Sequence, residues 1–278
     1  MKDGHITIDY DALTKEILEE NNSSVFKIYK DNKSFYFNMK LNKKNNRLLV
    51  LSNGAIDRSR KNPPIFMRSS WEKEIDANCI FIDDPTLHSN RLLIGWGVGE
   101  PDHHYLKSIS EIIIKIARLC NFNKENILYY GSSAGGTMSI MLSTYHRGTT
   151  ALANNPQAFA IDYKGGTIVN KLNKHMFNNM PLDEMLTRYG SRFSITECFL
   201  ENKYVPSVYY LYNVASQEDY ELQYLPLIKE MEQKNIDMNN IKFKSYNSPK
   251  LGHSPLSKSL TLRWIHTVFR RLGNHSNL

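Results

Sequence analysis

Residues 131–135 read Gly-Ser-Ser-Ala-Gly, a G-x-S-x-G pentad with Ser133 at its centre. Four strand-forming residues, Ile127-Leu128-Tyr129-Tyr130, run into the pentad, and a helical pattern leaves it at once. In that setting a serine stands on a tight strand-to-helix turn, where larger flanking residues would collide with the neighbouring strand and helix. The helix aims its free N–H groups at the same point, so charge developing on a carbonyl oxygen would be stabilised there. The chemistry implied is attack by a serine hydroxyl on an acyl carbon. A small-residue turn that only lets a helix pack closely is the alternative, and the strand before and helix after speak for the nucleophile.

A serine nucleophile needs a base, and the base needs an orienting carboxylate. On strand-turn-helix scaffolds of this kind the order along the chain is Ser, acid, His. The histidines after Ser133 are His146, His175, His253, His266 and His275. His146 falls at the end of the elbow helix, His175 in an irregular stretch, His266 inside the last helix and His275 in the tail. His253 lies in "SPKLGHSPL" (248–256), a loop between the last strand and the last helix, and is the expected base. The acid should follow the preceding strand, where Ala215-Ser216-Gln217-Glu218-Asp219-Tyr220 offers Asp219 first and Glu218 second. Ser216 and Asp219 also fit a capping box, so one carboxylate could cap while the other orients His253.

The expected oxyanion donors are backbone N–H groups of Ala134 and of Gly54 or Ala55, the latter from the "LSNGA" loop (51–55). Asn53 could add its side-chain amide or form a turn. Trp96-Gly97-Val98-Gly99 lies in another loop at the same edge, placed to wall the pocket, and lacks the G-x-G-x-x-G of a nucleotide site. His103 and His104 after Asp102 are adjacent rather than at i, i+4 spacing. They predict a helix start on the surface, with no metal site.

Strands and helices must bring these residues together. "RLLVLSNGA" (47–55), "CIFID" (79–83), "ILYY" (127–130), "TALANNPQ" (150–157), "SVYYLYNVA" (207–215) and "IKFKSY" (241–246) read as strands. Between and after them, 105–120, 134 to about 146, 219–234 and 256–272 read as helices; Leu106, Ile109, Ile113, Ile116 and Ala117 of the first share one face. This alternation predicts an α/β-hydrolase fold, a mostly parallel sheet with helices on both faces, as one domain over 1–278. Residues 1–46 form an N-terminal region whose 25–40 stretch alternates as a hairpin, turning at Asp31-Asn32-Lys33. The polar, Met-rich 165–204 segment breaks the rhythm and reads as a helical cap insertion.

A chain of 278 residues buries about three quarters of the surface its unfolded form exposes, enough for one such domain. Apolar residues at 41% and charged residues at 23% fit a soluble globular protein. Lys and Arg number 35 against 28 Asp and Glu, giving +7, spread without long single-sign runs. That balance fits a mildly basic surface or attraction to an acidic glycan, a nucleotide-bearing donor or nucleic acid; nucleic acid is not the expected partner. Cys79, Cys120 and Cys198 are far apart and without C-x-x-C spacing, which predicts buried thiols in a reducing compartment. Residues 1–10 hold no apolar leader core, and no stretch approaches the roughly 18 apolar residues of a spanning helix, so cytoplasm is the expected location.

From Asn126 to Gln157 the chain resembles bacterial capsular polysaccharide O-acetyltransferases of the α/β-hydrolase fold. The likeness rests on "ILYYGSSAGGT" followed by "NNPQ", with weaker echoes at "EDYELQYLPLI" and "LGHSP". Related domains occur in accessory components of bacterial glycoprotein secretion. The resemblance implies a triad of Ser133, an acid at 218–219 and His253, acetyl-CoA as acyl donor, no bound cofactor, and a carbohydrate acceptor, anionic given the basic surface. Lys171, Lys174 and Arg188 of the insertion are the expected contacts for its charge. An esterase or deacetylase using water with the same residues is the alternative. A non-catalytic scaffold in a glycan assembly or secretion complex is the second.

Overall fold

The computed structural model describes residues 4–88 and 90–275, with side chains to Gly273. Met1 to Asp3 of the stretch read for a leader, and the His275 side chain, lie outside that description.

The strands are β1 (Ile6–Asp9), β2 (Val25–Lys30), β3 (Lys33–Lys40), β4 (Leu48–Leu51), β5 (Asn78–Ile82), β6 (Ile127–Ser132), β7 (Thr150–Asn154), β8 (Ser207–Asn213) and β9 (Ile241–Tyr246). They form one sheet in the order β1-β2-β3-β5-β4-β6-β7-β8-β9. From β5 to β9 every pairing is parallel, whereas β3 runs antiparallel to both β2 and β5. The expected hairpin forms, with Asp31 and Asn32 both left-handed at φ 49° and 60°, the pair of signs a twisted two-residue turn requires. The structure adds β1, parallel to β2 at the sheet edge, and a short helix α1 (Lys15–Glu20), neither of which the sequence pattern announced.

The remaining helices are α2 (Tyr105–Leu119), α3 (Ala134–Tyr145), α4 (Thr167–Met176), α5 (Leu182–Tyr189), α6 (Ile195–Asn202), α7 (Gln217–Asp219), α8 (Leu225–Gln233) and α9 (Lys258–His275). Alternation along the parallel strands splits their side chains between two layers. Leu48, Val50, Ile80, Ile127, Tyr129, Ala151 and Val208 face α2, α3, α6 and α8. Leu49, Leu51, Phe81, Leu128, Tyr130, Leu152 and Tyr209 face Ile265, Val268 and Phe269 of α9. Both layers bury apolar surface, which is why the strand sequences are nearly continuous apolar runs. Helix α3 is buried on all sides, so it carries no polar face.

Helices α4 and α5 join a third cluster with Leu92, Ile94, Trp96 and Val98, over the carboxyl ends of the strands, and that cluster reaches Ala134. Helix α6, expected as part of the same insertion, instead packs Ile195, Cys198 and Phe199 into the main core. The expected 219–234 helix is also corrected: between α7 and α8 the backbone widens into a π-turn over Tyr220–Tyr224. Pro226 lacks the N–H that would have continued the regular ladder, which removes the penalty for widening there. Cys79 and Cys198 are buried and free, as expected, while Cys120 is only partly buried. Among the described residues no helix is long and apolar enough to cross a membrane.

The turn between β6 and α3 leaves no room for side chains. A Cβ on Gly131 would drive into the Gly135 carbonyl, and one on Gly135 would come within 2.8 Å of the Ser52 and Asn53 carbonyl oxygens. Both obstacles are backbone, so neither can swing away. Gly131→Ala is therefore expected to lower the unfolding free energy by about 3 kcal/mol or more, the upper range for an overpacked site. Urea denaturation at constant slope measures this, and an unchanged midpoint would show that the turn can open.

Candidate active site

Ser133 sits between β6 and α3 with φ 54° and ψ −129°, a strained conformation for a residue with a side chain. Its N–H is donated to Asn154 O at 3.0 Å, and its carbonyl accepts from Gly136 N at 2.8 Å, so the turn is fastened on both sides. The hydroxyl meets His253 Nε2 at 2.9 Å. On the other side of the ring, Nδ1 meets Asp219 Oδ1 at 2.6 Å. The three expected residues, from the β6–α3 turn, the short helix α7 and the loop before α9, form one hydrogen-bonded chain at the carboxyl edge of the sheet.

Of the two candidate acids, the structure puts Asp219 on the histidine. Glu218 points away and pairs with Lys164 Nζ at 2.9 Å. The capping role falls to Ser216, whose Oγ accepts from Asp219 N–H at 3.4 Å, leaving the Asp219 carboxylate for His253. Asp219 is 2% exposed, and its Oδ2 has no hydrogen-bond partner among the described residues. A buried carboxylate bonded to Nδ1 holds the imidazole ring in place, with Nε2 turned toward Ser133.

Three buried asparagines set the histidine loop, and sequence reasoning assigned none of them. Asn213, at the end of β8, donates to Ser248 O at 2.8 Å and Gly252 O at 2.9 Å, and accepts from Ser248 N. Asn155 donates to His253 O at 3.3 Å, and Asn154 accepts from Leu256 N at 2.8 Å. A loop without regular structure must satisfy its backbone groups somehow, and these side chains do so. Two of them belong to "NNPQ", the only signal that marked the stretch. Its last residue, Gln157, is fully buried and donates from Nε2 to Ser133 Oγ at 2.6 Å. Trp96 Nε1 donates to Gln157 Oε1 at 3.1 Å.

The expected oxyanion donors lie beside Ser133. Ala134 is the first residue of α3, where a helix leaves its N–H without an internal acceptor. Gly54 is so close that a Cβ there would stand 4.0 Å from the Ser133 Cβ. Asn53 does not offer its amide. It donates to Ile65 O and accepts from Met67 N, tying the 65–67 loop to the end of β4. Next along, the Arg68 guanidinium bonds Ser132 Oγ at 2.6 Å and lies over the Tyr130 ring, so the neighbouring serine is occupied.

Aromatic rings roof the site. Tyr163 lies 5.9 Å from the His253 ring and 6.3 Å from the Trp96 ring, centre to centre. The Trp96 loop is pinned by Asp84, whose carboxylate accepts from Thr86 N and Gly97 N. Burial pushes that carboxyl up to about 6, against the opposing pull of those bonds.

The other histidines stand elsewhere. His146 caps α3 and bonds the Tyr129 hydroxyl, His266 approaches Glu74 O, and His175 ends α4. His103 and His104 mark the start of α2, as expected, but are half-buried rather than fully on the surface. His103 bonds Ser108 Oγ at 2.8 Å, and His104 is half-buried against Tyr145. Burial holds the His104 imidazole well below its usual range. Of the expected charge contacts, Arg188 is paired with Glu184 on its own helix, so its charge is partly answered. Lys171 lines a cavity of about 320 Å³ with Arg91, Leu93, Ile94, Ile168 and His175.

No protein-family profile matches the chain, and no curated protein matches it by sequence. Solved structures do. The capsule O-acetyltransferase of Neisseria meningitidis serogroup A, solved as a variant in complex with CoA, superposes with a TM-score of 0.64 at 16% identity, over 92% of this chain and 100% of that one. A glycosylation-associated protein complex from Streptococcus agalactiae gives 0.62 at 13% identity, over 86% of this chain and 44% of that one. Acetyl xylan esterase 1 from Thermoanaerobacterium gives 0.55 at 12% identity, over 84% and 79%. At these identities the likeness establishes the architecture, and the chain has the α/β-hydrolase fold.

Proposed function

We propose that this protein moves an acetyl group from acetyl-CoA to a hydroxyl of a bacterial surface or capsular carbohydrate, through an acetyl-Ser133 intermediate. The observation that carries the reading is the unbroken chain from Asp219 through His253 to Ser133, ending beside Gly54 and Ala134. The whole-length likeness to a capsule O-acetyltransferase solved with CoA supports the donor and the acceptor class.

In the first half, Ser133 Oγ attacks the thioester carbonyl carbon while His253 Nε2 takes the hydroxyl proton. The carbonyl oxygen becomes an oxyanion facing the N–H groups of Ala134 and Gly54. As the C–S bond breaks, His253 returns the proton to the departing sulfur. In the second half, His253 takes the proton of a sugar hydroxyl, whose oxygen attacks the acetyl carbon and releases Ser133. Asp219 holds Nδ1 throughout and stabilises the imidazolium as it forms. A cytoplasmic location, where acyl-CoA is available, fits this reading.

The second reading is an esterase that admits water as acceptor, favoured by the likeness to an acetyl xylan esterase. Both halves use the same residues, so the acceptor decides between them. A non-catalytic scaffold has no use for an intact hydrogen-bonded chain on a strained serine, which argues against the third. For a transferase, acetyl-CoA alone is expected to be consumed slowly, because an acyl-enzyme is wasted whenever water reaches it. An acidic polysaccharide should then speed release of free CoA and gain O-acetyl groups. That stimulation should weaken with salt, since exposed charges such as Lys171 and Lys174 are screened over about 10 Å at 0.1 M. Rapid hydrolysis of aryl acetates, with no glycan altering the rate or acquiring acetate, would instead select the esterase.

A further inference from the structure

We infer that Gln157 is a catalytic residue: its side-chain amide directs the Ser133 proton to His253 and stabilises the oxygen as that proton leaves. The inference rests on the acyl-transfer reading above, whose steps make no use of this residue.

The orientation of the amide follows from its neighbours. Trp96 Nε1–H can only donate, so the atom 3.1 Å from it is the Gln157 carbonyl oxygen. The NH₂ group therefore faces Ser133 Oγ, 2.6 Å away. A hydroxyl has one proton. Because Gln157 supplies a donor, Oγ accepts there, and its own proton is left for His253 Nε2 at 2.9 Å. A flipped amide would set donor against donor at Trp96 and offer the hydroxyl proton a competing acceptor.

Several features hold this arrangement in place. Gln157 has 0% exposure, so water does not compete for its amide. Its backbone carbonyl is held by Thr137 Oγ1 at 2.7 Å, from the helix that begins at the nucleophile. Trp96 adopts φ 51°, uncommon for a bulky residue, within a loop tied down through Gly97 N and Asp84. The strained backbone aims an indole N–H at a buried amide oxygen, whose other end touches the reacting atom.

The contribution to rate comes from the change in charge on Oγ. A hydrogen bond to an alkoxide is roughly twice as strong as one to a neutral hydroxyl. The amide is thus worth more as the Oγ–H bond breaks than before, which is the condition for accelerating the step. When the acetyl ester forms, Oγ becomes a poor acceptor and the bond weakens. It strengthens again when the acceptor's attack expels Oγ from the second tetrahedral intermediate. Gln157 acts on the serine oxygen, opposite in role to the Gly54 and Ala134 N–H groups, which act on the carbonyl oxygen.

The test uses the full chain, with hydrolysis of an aryl acetate and the rate of fluorophosphonate labelling as readouts. Gln157→Met keeps the bulk and removes the donor; kcat and labelling rate are expected to fall by roughly 10²–10³, with KM little moved. Gln157→Glu supplies a pH signature. His253 must be neutral to take the Ser133 proton, in wild type and variant alike. In the Glu variant an ionised carboxylate would oppose the alkoxide, whereas its protonated form can donate, so the optimum should move to lower pH. Among the described residues the titratable groups facing position 157 are His253, with Asp219 behind it, and Tyr163, whose phenol interacts with the Gln157 side chain and is kept protonated by burial. His253 and Asp219 are common to both proteins and the phenol does not titrate in the acidic range, so an optimum displaced from that of wild type reports on residue 157. Trp96→Phe should give a smaller loss, and no further loss when added to Gln157→Met.

Folding is checked by thermal melting, and should the Met variant melt early, the isosteric Glu variant carries the test. Rates within about two-fold of wild type for folded Gln157→Met would overturn the inference, as would an unmoved pH optimum for Gln157→Glu. If the wild-type protein neither labels nor cleaves the ester, the acyl-transfer reading itself fails, a different result.

Discussion

Ser133→Ala is expected to abolish acyl transfer, with a loss of about six orders of magnitude, the scale seen when a serine or histidine acting as one unit is removed. Among the described residues the Ser133 hydroxyl is the group that hydrogen-bonds His253 Nε2, at 2.9 Å, so its removal takes away the atom that the base would activate. His253→Ala should cost about as much, and the double variant scarcely more, because each half of the pair is useless without the other. Active-site labelling by a fluorophosphonate makes the same point without a known substrate. Label should appear on Ser133 and vanish in His253→Ala. Ser132 is the natural control: its Oγ is bonded to Arg68 rather than to a base. Label on Ser132, or normal reactivity without His253, would sink the assignment.

The second large effect separates two adjacent acids. Asp219→Asn should lower turnover by about 10⁴, because the amide would hold the imidazole in the wrong tautomer while leaving its geometry intact. Glu218→Gln should change turnover only slightly. Its partner, Lys164, is 54% exposed, and exposed ion pairs contribute about 0–1 kcal/mol. Both proteins should melt near the wild-type temperature, since Ser216 supplies the cap at the start of α7. A reversed ranking would move the orienting role to Glu218, and equal, mild effects would mean that neither acid serves His253.

The sequence alone determined the parts of this protein that depend on neighbours along the chain. Short, nearly continuous apolar runs and the helical spacing of Leu106, Ile109 and Ile113 follow from local sterics and the demand for burial, and they placed the parallel strands and α2. Gly131, Ser133 and Gly135 were legible for the same reason, because a strand-to-helix turn excludes side chains at fixed offsets. His253 was legible as the histidine between the last strand and the last helix.

Asp219 against Glu218 stayed open because adjacent residues at a helix start point in directions about 100° apart, and only the docked His253 loop selects one of them. Asn53, read as a turn or an oxyanion donor, turned out to anchor a loop that follows it by more than ten residues, as its bonds to Ile65 and Met67 show. Gln157 and Trp96 are separated by 61 positions and meet only once β7 lies beside β6 and the Trp96 loop folds over both. The division has one physical cause. Apolar periodicity is written residue by residue, whereas a buried polar side chain takes its role from whichever donor or acceptor the fold brings opposite it, and no local pattern specifies that partner.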